Sequence, residues 1–231
     1  SGTFILLEAC RKYWLENLGL GKWDCRFHHI STDEVYGSLQ KDEPAFTELM
    51  PYRPNSPYSA SKASSDYLVR AYYKTYGLPI SLTNCSNNYG PFQHNEKFIP
   101  TVIDCCLQQK SIPVYGDGSN IRDWLYVKDH CRGIDRVIRY GKLGESYNIG
   151  GNTELTNLEV IGIICEVLSN IRPMSYKYTD LITFIKDRAG HDWRYAINAE
   201  KIRKELDWQP QETFSSGILK TLSKYAKTAI C

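Results

Sequence analysis

Strand-like and helix-like stretches alternate at short spacing through most of this sequence, which predicts an α/β fold built on a mainly parallel sheet. Three observations carry that expectation. Residues 26–31 and 80–85 read as short strands, the first leading into the polar stretch Thr32-Asp33-Glu34. Between them Pro57 opens a long helix that Gly77 and Pro79 stop near Tyr76. Farther on, Thr156-Asn157-Leu158-Glu159 is a capping box ahead of an apolar helix over 160–168.

The remaining elements follow from local pattern. Residues 4–18 place Leu6, Leu7, Cys10, Tyr13, Trp14 and Leu18 at helical spacing, so the chain opens in an amphipathic helix. Residues 86–91 read as a loop, 96–109 as a helix, 112–115 and 123–127 as strands, 129–140 as a helix and 145–149 as a strand ending at Gly150-Gly151. A strand over 179–185 and helices over 199–206 and 215–226 complete the chain. The pattern after about Asn152 is more mixed and suggests a smaller, mainly helical lobe.

Composition excludes several classes. A chain of 231 residues with 42% apolar and 23% charged residues is long enough to bury a full core and is neither disordered nor fibrous. A net charge of +2 gives no reason to expect nucleic acid as a partner. No apolar run approaches the ~20 residues that span a bilayer, so no membrane is expected. Residues 1–8 lack the basic region of a signal peptide. The eight cysteines (Cys10, Cys25, Cys85, Cys105, Cys106, Cys131, Cys165 and Cys231) form no C-x-x-C pair and mostly sit in apolar segments. They read as buried thiols of a cytoplasmic protein.

Two short motifs could carry chemistry. In Tyr58-Ser59-Ala60-Ser61-Lys62, Tyr58 and Lys62 share a helix face. A tyrosine of pKa ~10 is a poor base at neutral pH. An adjacent ammonium that lowers its pKa would make the pair a general base. The same spacing also suits an exposed tyrosine beside a solvated lysine. Thr32-Asp33-Glu34 follows a strand, where ligands bind in open α/β sheets. Its carboxyls could divide acid and base work if their environments separate them, or could simply cap a turn. His28, His29 and His130 lack ligand spacing, and no metal site is expected.

Taken together these blocks resemble the extended short-chain dehydrogenase/reductase superfamily, and within it the dTDP-glucose 4,6-dehydratases. Ser31-Thr32-Asp33-Glu34-Val35-Tyr36-Gly37 is similar to that family's S-T-D-E-V-Y-G, and Pro57-Tyr58-Ser59-Ala60-Ser61-Lys62-Ala63 to its P-Y-S-A-S-K-A. Later blocks at 84–91, 96–100 and 121–127 look like the family's too. Asp187-Arg188-Ala189-Gly190-His191-Asp192 resembles D-R-P-G-H-D, with Ala189 standing where the family has proline. The likeness runs along essentially the whole chain.

The resemblance implies a Rossmann-like doubly wound parallel sheet, its first part missing, with a smaller C-terminal substrate-binding lobe. Residues 1–150 would be the remainder of the NAD-binding domain carrying the catalytic residues, interleaved with substrate-lobe segments from about residue 90. Residues 151–231 would be mainly the nucleotide-sugar-binding lobe. No G-x-G-x-x-G turn follows any strand here, and Gly116-Asp117-Gly118 precedes no helix. Roughly the first 100 residues of the family's Rossmann half are therefore expected to lie upstream. Residues 1–231 alone would hold NAD weakly.

The implied activity is conversion of dTDP-glucose to dTDP-4-keto-6-deoxyglucose, a step in deoxysugar biosynthesis. Tyr58 would take the O4 proton while NAD takes the C4 hydride, and Lys62 would tune Tyr58 and hold the nicotinamide ribose. Glu34 would remove the C5 proton as Asp33 protonates the departing C6 hydroxyl, with Thr32 bonding near O4. Asn88 would touch the cofactor and Asn87 the substrate. Arg122, Lys97 and the loop of Asp187, Arg188, Ala189, Gly190 and His191 would hold the diphosphate. Pro113, Val114 and Tyr115 would form the base-side pocket, with Phe98 and Asn157 further substrate contacts. A homodimer through helices 4–18 and 58–76 is also implied. The alternatives are a sister 4-epimerase or decarboxylase, where the acidic pair is absent or altered, or a non-catalytic dinucleotide-binding fragment.

Overall fold

The computed structural model describes residues 2–187 and 190–228. Its central sheet is parallel, with β1 (Phe27–Thr32), β2 (Ile80–Cys85) and β6 (Ser146–Ile149) in the order β1-β2-β6. Phe27 lies opposite Ile80 and Thr32 opposite Cys85, so the carboxyl ends of β1 and β2 finish side by side. Along β2, Ile80, Ser81, Leu82, Thr83 and Asn84 are all buried although their side chains alternate in direction, which requires cover on both faces.

That cover is helical. α2 (Pro57–Tyr76) packs on β1 and β2, with α1 (Gly2–Cys10) and the π-helical stretch over Arg11–Asn17 that continues it set against α2, and α4 (Val127–Tyr140) packs on β2. Leu7, Val69, Tyr72, Leu78 and Ile80 form the common core of α1, α2 and β2. A second core joins β6 to α4 and α6 (Glu200–Leu206) through Val137, Tyr147, Ile149, Ile202 and Trp208. The expected α/β doubly wound architecture is present.

The ends of α2 follow the sequence signals. Ser56 and Ser59 exchange capping hydrogen bonds, Pro57 takes the first turn where its missing N–H costs nothing, and Gly77 closes the helix in the left-handed region at φ 69°. The helix expected over 4–18 forms, but its apolar side is not all buried: Phe4, Ile5, Leu6, Tyr13 and Leu18 stay exposed while Leu7 is buried.

Beyond β2 the chain builds a second layer. It comprises β3 (Asn87–Tyr89), α3 (Phe98–Leu107), β4 (Ile112–Tyr115), β5 (Ile121–Tyr126), β7 (Glu154–Thr156), α5 (Asn157–Ile171), β8 (Ile182–Ile185), β9 (Arg194–Tyr195) and α7 (Phe214–Thr228). β5 organises it, pairing in parallel with β3 and β9 and antiparallel with β7, while β4 pairs with β8. Its core gathers Ile99, Ile103, Val114, Trp124, Ile161, Ile164, Phe214 and Ile218.

Several expectations need correction. β3 occupies part of the expected loop 86–91, because Asn87 and Asn88, poor strand formers, are recruited by pairing with Trp124 and Leu125. β7 and β9 went unread because segments this short carry no periodicity. The strand expected over 179–185 begins as a 3-10 turn, Tyr178–Leu181. The cysteines are less buried than expected: Cys106 and Cys165 are buried, Cys10, Cys25, Cys85 and Cys105 are partly so, and Cys131 is exposed. All seven are free, and Cys231 lies outside the described residues.

The capping box of α5 forms as read: Thr156 Oγ1 accepts from the Glu159 N–H at 3.1 Å, and Glu159 Oε2 accepts from the Thr156 N–H at 2.7 Å. It also fixes the entry of Asn157. Thr156→Ala is expected to lower stability by about 1 kcal/mol, read as a drop in the denaturant midpoint with unchanged slope.

Candidate active site

The site begins where β1 ends. Thr32 caps a 3-10 turn, Asp33–Tyr36, accepting from the Glu34 N–H at 3.3 Å and donating its hydroxyl to Asp33 Oδ1 at 3.3 Å. Gly37 ends the turn at φ 99°, and a Cβ there would lie 2.5 Å from the Arg53 carbonyl, so the motif's final position requires glycine.

The two carboxyls have different surroundings. Asp33 is buried, and its Oδ2 has no hydrogen-bond partner among the described residues. Burial first, then the neighbouring Glu34 and Asp123, push the Asp33 carboxyl up to about 8, against a partial offset from Arg122. Glu34 is only half-buried. A carboxyl that keeps its proton at neutral pH is a proton donor, and a more accessible one beside it can accept.

Tyr58 lies in the first turn of α2 and is 55% exposed. The expected lowering of its pKa is absent. Burial, then Glu34, Cys85 and Asp33, hold the phenol above its usual range. The Lys62 ammonium instead donates to the Ile30 carbonyl at 2.9 Å. Asn88 Nδ2 contacts Cys85 Sγ at 3.4 Å and the Ser86 carbonyl at 3.0 Å, which leaves its buried Oδ1 without a partner among the described residues.

A cleft of about 250 Å3 opens beside this cluster. Of the expected substrate residues, Asn87, Phe98, Pro113, Val114, Tyr115, Arg122, Asn157 and His191 all line it. Thr101 and Trp124 line it too and were missed, although spacing could have found them. Thr101 is three residues beyond Phe98 on α3, and Trp124 two beyond Arg122 on β5. A larger depression of about 600 Å3, walled by Asn152, Glu154, Arg203 and Trp208, holds none of the expected site residues.

Arg122 is the hinge between cleft and carboxyls. Its guanidinium donates to the Ile121 and Asp192 carbonyls at 2.7 and 2.8 Å and lies 4.4 Å from the centre of the Tyr195 ring. It does not pair with adjacent Asp123, whose side chain points to the opposite face of β5 and accepts from the Gly151 and Thr153 N–H groups. Asp187 Oδ1 meets His191 Nδ1 at 2.7 Å, while Arg188 and Ala189 lie outside the described residues. Gly190 is exposed, and Lys97 is exposed just before α3, outside the lining of the cleft.

The family model described as GDP-mannose 4,6 dehydratase matches residues 1–221. A dTDP-glucose 4,6-dehydratase of Shigella flexneri is 56% identical over 97% of this chain, which spans 64% of that protein. A crystal structure of a dTDP-glucose 4,6-dehydratase from Bacillus anthracis in complex with NAD superposes with TM-score 0.87 at 49% identity, covering 98% of this chain and 67% of the other. A Streptomyces venezuelae dTDP-glucose 4,6-dehydratase with NAD and TYD bound gives TM-score 0.87 at 44% identity, covering 98% and 65%.

The Asp33 environment makes stability depend on pH. Its folded pKa is raised, so the fold binds this proton more tightly than the unfolded chain does. The contribution is fully present below about 4 and is lost as pH rises through about 8. Asp33→Asn should therefore raise the thermal midpoint at pH 8.5 and leave it little changed at pH 4, as followed by thermal melts across that window.

Proposed function

The chain belongs to the GDP-mannose 4,6-dehydratase family, and on that premise we propose that it carries the chemistry of an NAD-dependent dTDP-glucose 4,6-dehydratase. The observation that supports dehydration is the buried, proton-holding Asp33 beside the accessible Glu34. An elimination across C5 and C6 needs a base and an acid on different atoms of one hexose.

In this reading Tyr58 removes the proton from the sugar O4, with the Thr32 hydroxyl bonding the same oxygen. The ketone formed at C4 acidifies the C5 proton, which Glu34 takes. Asp33 gives its proton to the C6 hydroxyl, which departs as water. NAD supplies the hydride acceptor at C4 and the hydride donor at C6. The residues present suit its nicotinamide end: Lys62 and Tyr58 stand at the sheet's carboxyl edge, and Asn88 offers a buried, unpartnered carbonyl oxygen close by.

The cleft suits the nucleotide half. Arg122 in its lining provides charge for a diphosphate, with His191 a further polar contact. Phe98, Pro113, Val114 and Tyr115 offer an apolar surface for the base, and Asn87 and Asn157 offer polar contacts. Residues 1–150 would then carry the chemistry and 151–231 mainly the nucleotide-binding lobe. We place the protein in the cytoplasm, where thiols such as Cys131 stay reduced.

We also assign a homodimer to the α1–α2 face. Phe4, Ile5, Leu6, Tyr13, Tyr67 and Tyr76 are exposed there, whereas Tyr72 is buried and donates its hydroxyl to Glu8. In a chain extended to the relatives' full length, Ile5→Glu with Leu6→Glu should yield a monomer by light scattering where the unaltered protein gives a dimer.

The division of labour is tested in the same extended chain. Tyr58→Phe should abolish the first oxidation, leaving no absorbance from reduced nicotinamide in single turnover. Asp33→Asn with Glu34→Gln should leave that oxidation largely intact and slow elimination by ~10²–10⁴. Reduced cofactor and 4-keto-glucose nucleotide would then accumulate. Normal 4-keto-6-deoxy product from the double variant would move elimination to other residues.

A further inference from the structure

The polar face of α2 continues past the residues already assigned. Tyr58, Lys62, Asp66 and Arg70 recur every fourth residue and so form one slowly drifting stripe. Asp66 is fully buried. Its Oδ1 lies 3.1 Å from His29 Nε2, and its Oδ2 accepts from Asn84 Nδ2 at 3.4 Å. The same Asn84 amide reaches the Thr32 carbonyl at 3.1 Å and the Tyr52 hydroxyl at 3.4 Å. Arg70 Nη2 donates to that hydroxyl at 3.1 Å. His29 directly precedes Ile30, whose carbonyl receives Lys62.

We propose that Asp66 is a positioning residue: gripping His29 and Asn84, its carboxylate sets the end of β1 against α2, so that Thr32 and Tyr58 reach the same sugar hydroxyl. The proposal rests on the dehydratase reading. A buried carboxylate is a poor source of stability, and an apolar side chain of equal volume would hold helix to sheet as well. What the carboxylate adds is direction. It accepts only, so it orients the His29 ring and the Asn84 amide at once, and each orients a β1 group that abuts the chemistry. Tyr58 and Thr32 sit on different elements, and this network spans the gap between them.

The test uses the chain extended to the relatives' full length, with NAD and dTDP-glucose carrying hydrogen or deuterium at C4. Asp66→Asn keeps volume but replaces one of the two acceptor oxygens with an amide N–H, which then faces one of the two partners. A misplacement on the order of 1 Å costs up to ~10²-fold in rate, so kcat should fall by roughly 10- to 100-fold. KM should stay within about twofold, because ground-state contacts to the nucleotide are untouched. The isotope effect on kcat should rise, since the C4 step becomes slower relative to the others. His29→Gln, which retains a donor, should keep most activity, and His29→Leu should behave like Asp66→Asn. Should Asp66→Asn fail to fold, the His29 pair carries the comparison. Unchanged kcat in Asp66→Asn, or a loss with an unchanged isotope effect and matched by the unfolded fraction, overturns the proposal. Absence of 4-keto product from the unaltered protein instead overturns the dehydratase reading itself.

Discussion

Keeping one carboxyl out of water is the constraint on which the site turns. Asp33 and Glu34 are chain neighbours of similar intrinsic acidity, and on an open loop they would titrate together. The 3-10 turn that carries them separates successive side chains by about 120°. Asp33 is thereby sent into the protein, and Glu34 is left half-buried. Thr32, capping the turn, fixes that split. The sheet supports it from behind, because β1 and β2 end level and deliver Thr32 and Cys85 to one edge.

The second constraint is how the cleft is joined to that edge. β5 does it by alternation. Arg122 and Trp124 face the cleft, while Asp123 between them turns away to bind the backbone of Gly151 and Thr153. Asp123 and Arg122 both act on Asp33, in opposite senses. The strand that shapes the cleft therefore also tunes the Asp33 carboxyl.

Much of this was legible in the residues because it is local. The bounds of α2 are written in Ser56, Pro57 and Gly77, and the start of α5 in Thr156 and Glu159. The motif blocks marked most of the cleft for the same reason, since each is a contiguous run. What sequence hid is what only tertiary pairing decides. β3 exists because β5 recruits two asparagines, and β9 is two residues long. Trp124 lines the cleft although its neighbours in sequence drew the attention. Asp66, His29 and Asn84 come from three elements, and nothing in their spacing announces that they meet. The pairing of Tyr58 with Lys62 was right about the shared helix face and wrong about its effect, because distance along a helix does not say where an ammonium finds its acceptor.

That last difference bears on how the two halves of the site work together. Glu34 and Asp33 both resist ionisation of Tyr58, and the Lys62 ammonium is engaged by a backbone carbonyl. A phenolate here would face two carboxylates if both were charged. Burial prevents this by keeping the proton on Asp33. In the proposed dehydration, the same desolvation that would make Asp33 an acid for the C6 hydroxyl would also remove one of the charges opposing a base at O4.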